Sequence, residues 1–375
     1  MRAFDFQALE NERGEIMLKP YSGTKYFNGY EMLEKRGKWN IVLSERNNGK
    51  SFWFLQKAVC DFVNDGGQFG YIRRLNTDIK NNVVDKYFQD VNFLKWLKKS
   101  TGYDGIMCDR GCLFFFNEKK GKREKAVQFG NVFSLQKHTE YKSLHFDKIT
   151  NVIFEEFIVN DSPYLPNEYS RFNNLISTIA RGRDICVSLL GNSVARDCPY
   201  LLEYGINLQK VKQNEMVIID HNGKNGKVRV VFYFAPQKSE SEMFFGKAEK
   251  SIVSGQWEVD EMPHLFCDFK EVEKIYTFYV ITKLRQAFKC VVFIHPDYIG
   301  RFVYVYPFDY DELDFTLGAD IFTDTFTVKE NYYMHPKRKR HEQLYELYRE
   351  DRFVYATDIC GTEFQRALKN YNPFV

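Results

Sequence analysis

The stretch IVLSERNNGKSFWF (residues 41–54) sets Gly49, Lys50 and Ser51 between a short apolar run and a segment whose apolar residues recur at helical spacing. Such a triplet can bind the phosphates of a nucleotide: backbone N–H groups at a helix start wrap the anion, the lysine reaches the β/γ oxygens, and the hydroxyl holds Mg²⁺. The usual spacing is G-x-x-x-x-G-K-[ST], and Ser44 stands where the first glycine would be. Gly-Lys-Ser also recurs by chance in surface turns, so the reading needs a second half. NVIFEEF (151–157) offers one, because an apolar strand delivers Glu155 and Glu156 at its carboxyl end, where ligands of open α/β sheets bind. Adjacent carboxylates can divide two tasks, one completing the shell of a metal and the other polarising an attacking water. The first position is usually Asp; Glu155 is one methylene longer. Two solvated acids at a strand end are the plain alternative.

Strand, turn and helix must position these groups. Asn40–Leu43 reads as a buried strand, and SFWFLQKAVCDFVN as the helix behind the turn. GQFGYIRRL (67–75) predicts a second strand and DVNFLKWLKK (90–99) a helix. Residues 112–135 predict a hairpin, CLFFF and AVQFGNVFSL joined by a basic turn. TNVIFEEF (150–157) and DICVSLLGN (184–192) are apolar strands on either side of an amphipathic helix at 167–182. A further short helix falls near Tyr30–Lys35. This alternation implies an α/β sheet covered on both faces. The pattern then changes: HNGKNGK (221–227) is turn-rich, 235–268 is a loose connector, and two aromatic runs between Tyr276 and Phe308 predict an antiparallel sheet, with helices at 339–351 and 362–370. The expected domains are 1–235, a linker at 236–268, and a smaller α+β unit at 269–375.

With 375 residues, 44% of them hydrophobic and 17% aromatic, the chain has the material for two real cores. It carries no apolar run long enough to span a bilayer and no secretory signal, which predicts a soluble cytoplasmic protein with reduced thiols. Its closest cysteines, Cys108 and Cys112, have no second pair placed to complete a tetrahedral zinc site. A net charge of +3 excludes a molecule that is a polyanion binder all over, so contact with nucleic acid would use local patches. NEKKGKREK (117–125) and HPKRKRH (335–341) qualify, although such runs are usually solvated loops.

SERNNGKS, YIRR (71–74), YKS (141–143), NVIFEEF, YLPNEYSRFNNLISTIARGRD (164–184), CVSLLGNSV (186–194) and CPY (198–200) together resemble the DNA-encapsidation ATPases of φ29-like podophages, collinearly over about residues 40–200. Beyond 235 the resemblance rests on order and size. Arg46 inside the loop also resembles a feature of large terminases, the packaging motors of other tailed phages. The resemblance implies a P-loop (ASCE-type) ATPase domain with a mixed, mainly parallel sheet, followed by a smaller RNase H-like α+β domain. It implies ATP and Mg²⁺ as cofactors. Ser44, Arg46, Asn47, Asn48, Gly49, Lys50 and Ser51 would form the ATP-binding loop. Ser51 and Glu155 would serve the metal, and Glu156 would be the catalytic glutamate. Arg181 would reach into the nucleotide of a neighbouring subunit, with Arg183 its rival; Lys142 would lie on the same intersubunit face, and Asn192 could sense the γ-phosphate.

For DNA the family uses a lysine on the loop after the YIRR-like strand, a position that is Asn76 here. Lys80, or the hairpin residues Lys119, Lys120, Lys122, Arg123 and Lys125, could supply the missing charge, with the hairpin ranked slightly ahead. Lys337 and Arg338 mark the second basic patch. The C-terminal strands carry no acids in their interiors, whereas Asp309, Asp311, Glu312 and Asp314 follow a strand. A nuclease-like fold without nuclease activity is therefore expected, because two-metal cleavage needs converging carboxylates.

The implied function is ATP-driven packaging of double-stranded DNA into a preformed capsid by a homomeric ring. The implied partners are DNA, further copies of the chain in a pentamer, the capsid portal and a structural RNA, with no membrane; the sequence itself gives neither ring number nor RNA requirement. The implied place is the host cytoplasm and transiently the portal, not the mature virion. Two rival readings are a terminase-type motor with a live nuclease and a nucleic-acid-binding assembly protein that does not hydrolyse ATP.

Overall fold

The computed structural model describes residues 9–10, 16–159, 164–192, 198–206, 208, 211–224, 226–236, 261–281, 286–296, 300–312, 320–323 and 338–371. The chain divides into two compact units, Met1–Ala195 with Glu203–Gln256, and Arg196–Leu202 with Trp257–Val375. Among the described residues no helix is long and apolar enough to cross a membrane.

Leu9–Glu10 (β1) and Ile16–Met17 (β2) pair antiparallel, and Tyr30–Glu34 (α1) follows. Next come β3 (Trp39–Ser44), α2 (Lys50–Asp65), β4 (Gln68–Arg73), α3 (Asn81–Tyr87), α4 (Val91–Thr101), β5 (Gly105–Asp109), β6 (Cys112–Lys119), β7 (Lys122–Ser134), β8 (Ile149–Glu155), α5 (Glu168–Ala180), β9 (Cys186–Asn192), α6 (Pro199–Glu203), β10 (Glu215–Gly223) and β11 (Gly226–Phe234). Nine of these strands form one sheet in the order β10-β11-β3-β9-β8-β4-β7-β6-β5. From β11 to β7 every neighbouring pair is parallel, and only the edges, β10 on one side and β6 with β5 on the other, are antiparallel. The sheet is thus mixed and mainly parallel, as expected.

Its two faces have separate cores. Val42, Tyr71, Ile153 and Leu190 pack in one cluster with Trp53, Phe54 and Val59 of α2 and with Phe93, Trp96 and Leu97 of α4. On the other face Phe154 stacks on Phe172 of α5 at 5.3 Å, and Trp39 meets the same ring at 5.9 Å. Successive side chains of a strand point to opposite faces, so the Ile153-Phe154 step sends one apolar residue to each core. The turn-rich stretch at 221–227 is the tip of a hairpin whose two nine-residue strands, β10 and β11, extend the sheet beyond the strands foreseen.

In the second unit β12 (Glu273–Ile281), β13 (Ala287–Ile294) and β14 (Arg301–Phe308) form the antiparallel meander, while β15 (Asp320–Thr323) and β16 (Phe353–Tyr355) add a parallel strand at each edge. The order is β15-β12-β13-β14-β16, so the sheet is mixed rather than antiparallel throughout. Helix α7 (Arg338–Arg349) matches expectation closely; α8 (Asp358–Tyr371) starts a turn earlier than read from its periodicity.

Candidate nucleotide site

β3 is buried along almost its whole length and ends at Ser44, and α2 begins at Lys50. The intervening loop turns through two left-handed residues, Asn47 (φ 62°) and Gly49 (φ 87°). At Gly49 a side chain would be strained twice over, because the backbone is left-handed and a Cβ would lie 3.2 Å from Tyr26 Cβ. The loop is braced from outside. Phe27 N donates to the Asn48 carbonyl at 2.9 Å, and Asn48 Nδ2 donates to the Pro236 carbonyl at 3.2 Å. Asn48 is buried, with its Oδ1 left without a hydrogen-bond partner, whereas Arg46 and Asn47 are exposed and Ser51 is half-buried. Beside the loop lies a cavity of about 340 Å³ lined by Thr24, Tyr26, Phe27, Tyr30, Asn48 and Tyr233, among others.

Strand register brings the remaining groups to the same edge. Val42 pairs with Leu190 and Leu190 with Glu155, while Ser44 pairs with Asn192. Ile72 pairs with Phe154, so Arg73 and Glu155 occupy the next rung. All are carboxyl ends of parallel strands, the edge at which such sheets bind ligands. Lys50 Nζ donates to Asn192 Oδ1 at 2.6 Å and reaches the Glu45 carbonyl at 3.4 Å. Burial pushes the Lys50 ammonium down to about 8, against the upward pull of Glu155, Glu45 and Glu156. Lys50 and the paired acids, more than a hundred residues apart in sequence, therefore lie at one edge of the sheet, close enough for the carboxylates to act on the ammonium.

Sequence reasoning assigned no role to the residues that hold the acids. Tyr71 donates its hydroxyl to Glu155, and burial followed by Glu155 itself drives that phenol far above its ordinary range. Arg73 bridges the pair, donating to Glu156 Oε2 at 2.7 Å and to Glu155 Oε2 at 3.4 Å. Arg74 grips the turn beyond. It donates to the carbonyls of Glu156 at 2.8 Å and Phe157 at 2.9 Å, and its guanidinium makes a buried two-pronged pair with Glu168. Glu156 needs that grip because it sits at φ 56°, which a residue with a Cβ adopts only when its surroundings impose it. Its side chain is 64% exposed.

The arginines lie elsewhere. Arg181 caps the end of α5 at φ 44°, exposed, and donates to the carbonyls of Lys142 at 3.2 Å and Leu144 at 2.9 Å. Arg183 donates to three carbonyls, those of Ile149, Phe146 and Ile179. Asp184 pairs with Lys38 rather than with either arginine. Ile149 opens β8 and Glu155 closes it, so both arginines sit at the amino edge of the sheet, about 20 Å of strand from the pocket of their own chain. Lys142 shares that edge with Arg181.

The β6–β7 hairpin closes with Lys119 opposite Lys122 across a two-residue turn, Lys120 and Gly121, both left-handed. Its charge is largely answered at home: Lys119 pairs with Glu124, Arg123 with Asp85 and Lys125 with Asp109. Among the described residues no ion pair engages Lys120 or Lys122. Lys80 is exposed at the start of α3, seven residues beyond Arg73. Asp309 and Glu312 flank a turn after β14, and Asp314 and Lys337 fall outside the described residues; Arg338 opens α7.

Comparison with known proteins identifies relatives of the first unit and of the fold. The Podovirus DNA encapsidation protein (Gp16) family matches residues 22–219. DNA packaging proteins of Bacillus phages phi29 and B103 are 28% identical over 187 residues and 30% over 175, covering 48% and 44% of this chain and 50% and 48% of theirs. The chain thus spans about half the length of the curated relatives it matches. Likeness of fold runs further. The bacteriophage Phi-29 viral genome packaging motor assembly superposes with a TM-score of 0.56 at 17% identity over 94% of this chain and 100% of that one. The Phi-28 gp11 DNA packaging motor gives 0.50 at 16% identity over 92% and 99%. By the extent of the family match and the site it encloses, this chain belongs to the podovirus DNA encapsidation protein family.

Proposed function

We propose that this chain is an ATP-driven motor subunit that moves double-stranded DNA into a preformed capsid, in the host cytoplasm and at the capsid portal. The carrying observation is that Lys50, bonded to Asn192 at the end of β9, and the Glu155–Glu156 pair at the end of the adjacent β8 share the carboxyl edge of a parallel sheet, in a member of an encapsidation family. The residues present fit a magnesium nucleotide: a braced loop with left-handed turns, a helix start, an unmatched buried acceptor at Asn48 and a lysine whose charge burial leaves under-compensated.

Lys50 and the loop N–H groups of 46–50 would hold the phosphates, and Ser51 with Glu155 would hold Mg²⁺. When bound, that ion supplies neutralisation of the phosphoryl charge. The aromatic cavity beside Asn48 has the size and lining for the base. Asn192, which accepts from Lys50, would exchange that contact for the terminal phosphate. Glu156 would orient the attacking water once its carboxylate leaves Arg73, while Arg74 keeps its backbone fixed.

Arg181 and Lys142, at the far edge of the sheet, would complete a neighbour's pocket in a homomeric ring, pentameric as the resemblance implies. Arg183 is the weaker candidate, since three carbonyls hold its guanidinium. For DNA, Lys80 now ranks ahead of the hairpin. It follows the strand that carries Arg73, whereas three of the five hairpin cations are paired locally. The second unit would be an RNase H-like domain without cleavage activity that docks on the portal or a structural RNA; its strand interiors carry no acids.

Steady-state ATPase tests the reading. Lys50→Ala should abolish binding of a fluorescent ATP analogue. Glu156→Gln should keep binding and lower turnover by about 10²–10⁴-fold. Wild-type protein without ATPase in the presence of DNA would sink the proposal in favour of a non-hydrolysing assembly protein, and Mn²⁺-dependent DNA cutting would reveal a live nuclease.

A further inference from the structure

The five-stranded sheet of the second unit is covered on its two faces by different means. On one face Phe278, Val280, Phe288 and Val292 pack with Leu344 of α7 and Phe364 of α8. On the other, Val291, Phe293, Phe302 and Val354 are covered by an irregular segment through Leu265, Cys267 and Val272. Two rings hold that segment down. Phe266 lies 5.2 Å from Phe302, and Phe269 lies 5.2 Å from Tyr304 and 5.8 Å from Phe293. Both rings remain about half exposed, so the apolar hold on this face is incomplete.

From Phe269 to Glu271 the chain makes a single 3-10 turn closed by a reciprocal cap. Asp268 Oδ1 accepts from Lys270 N at 3.1 Å, and Glu271 Oε2 accepts from Asp268 N at 3.0 Å. The cap folds the Glu271 side chain back over the turn toward Cys267. His295, the residue after β13, comes up beside the turn, only 7% exposed and with its ring against Phe266. The Cys267 thiol, a carboxylate oxygen of Glu271 and a ring nitrogen of His295 consequently all lie within 4.8 Å of one another. Among the described residues no other group of three or more such side chains gathers as closely.

We propose that Cys267, Glu271 and His295 form a zinc-binding site that fastens the segment entering the second unit to the end of β13. Sulfur, imidazole and carboxylate together are the donor set of a borderline-soft cation; Mg²⁺ and Ca²⁺ take oxygen. Zinc-to-ligand lengths of about 2.0–2.3 Å in a tetrahedron put the ligand atoms about 3.3–3.7 Å apart. Closing from 4.8 Å takes side-chain adjustments of about 1 Å, which the exposed Glu271 can supply. Three protein ligands leave a fourth position for water or another donor. The site lies in the unit that does not carry Lys50, so its role is to fix structure rather than to hydrolyse nucleotide.

The test uses the full chain, stripped with a chelator and titrated with Co²⁺, whose thiolate complexes show a charge-transfer absorption that Zn²⁺ then displaces. One equivalent should bind with that absorption, and zinc should raise the thermal midpoint. Cys267→Ser should remove the absorption, weaken zinc binding by about 100-fold or more and cancel the thermal shift, while Glu271→Gln should weaken binding and keep the absorption. None of the eight cysteines is in a disulfide, so an absorption that survives in Cys267→Ser would assign the metal elsewhere and overturn the proposal. Absence of the absorption in wild type would do the same.

Discussion

Raising the pH from about 7 to about 9 should weaken nucleotide binding roughly tenfold, and the cause is a single buried ammonium. Lys50 is 8% exposed, and burial lowers its pKa to about 8 despite the carboxylates nearby. A bound triphosphate restores the charge it lacks, so above pH 8 binding must first return a proton to Lys50. The protonated fraction falls from about 90% near pH 7 to about 10% near pH 9, which is the tenfold. The assay is a titration of wild-type protein with a fluorescent, non-hydrolysable ATP analogue across this range, with Lys50→Arg as the control whose charge does not titrate. Glu156→Gln is unsuitable as the host, since removing that carboxylate would move the Lys50 pKa itself. A second readout has the opposite sign. The unfolded lysine titrates near its ordinary 10.5, so between pH 8 and 10.5 the unfolded chain binds more protons and the Lys50 contribution to folding stability rises with pH while affinity falls. Flat affinity in wild type, or an equal slope in Lys50→Arg, would refute the reasoning.

Glu168→Gln should destabilise the first unit by about 3 kcal/mol in thermal or denaturant unfolding, because it strands the buried Arg74 guanidinium; the surviving protein should lose turnover more than nucleotide affinity, since Arg74 holds the backbone of Glu156. Arg183→Ala should lower the unfolding midpoint by stripping three carbonyls of their donor, while Arg181→Ala should leave it nearly unchanged and, if Arg181 acts between subunits, suppress ATPase of assembled wild-type protein when mixed in. Lys80→Glu should weaken DNA-stimulated turnover with basal hydrolysis intact, and Lys120→Glu with Lys122→Glu should do so less; the reverse ranking, read from DNA-stimulated ATPase, would return the hairpin to first place.

The pocket's two halves were legible because each is local. An apolar run followed by helical periodicity gives β3, loop and α2, and an apolar run ending in acids gives β8. What was illegible is lateral. Tyr71 and Arg73 touch the acids only because β4 lies beside β8, and strand order is set by crossovers that periodicity does not encode. The five basic residues of the hairpin looked unopposed because only Glu124 among their partners is nearby in sequence; Asp85 and Asp109 arrive from α3 and β5. Strand β10 escaped notice because it is an edge, with Asp220, Asn222 and Gly223 interrupting the apolar alternation, and its NG signal read as a turn without strands. In the second unit the meander was legible from its aromatic runs, whereas the parallel partners β15 and β16 are only four and three residues long and leave no pattern to count.

The Lys50 and Glu155 groups at one rim of the sheet and the exposed Arg181 guanidinium at the other give this chain unlike ends. A two-fold dimer repeats one patch on both partners, and no patch here holds both ends. If Arg181 serves a neighbour as proposed, joining arginine to pocket would run head to tail, and any open string would leave its last pocket idle. Under that proposal only closure into a circle would set every pocket against a neighbour's arginine, and the count of working sites would report whether the circle is complete.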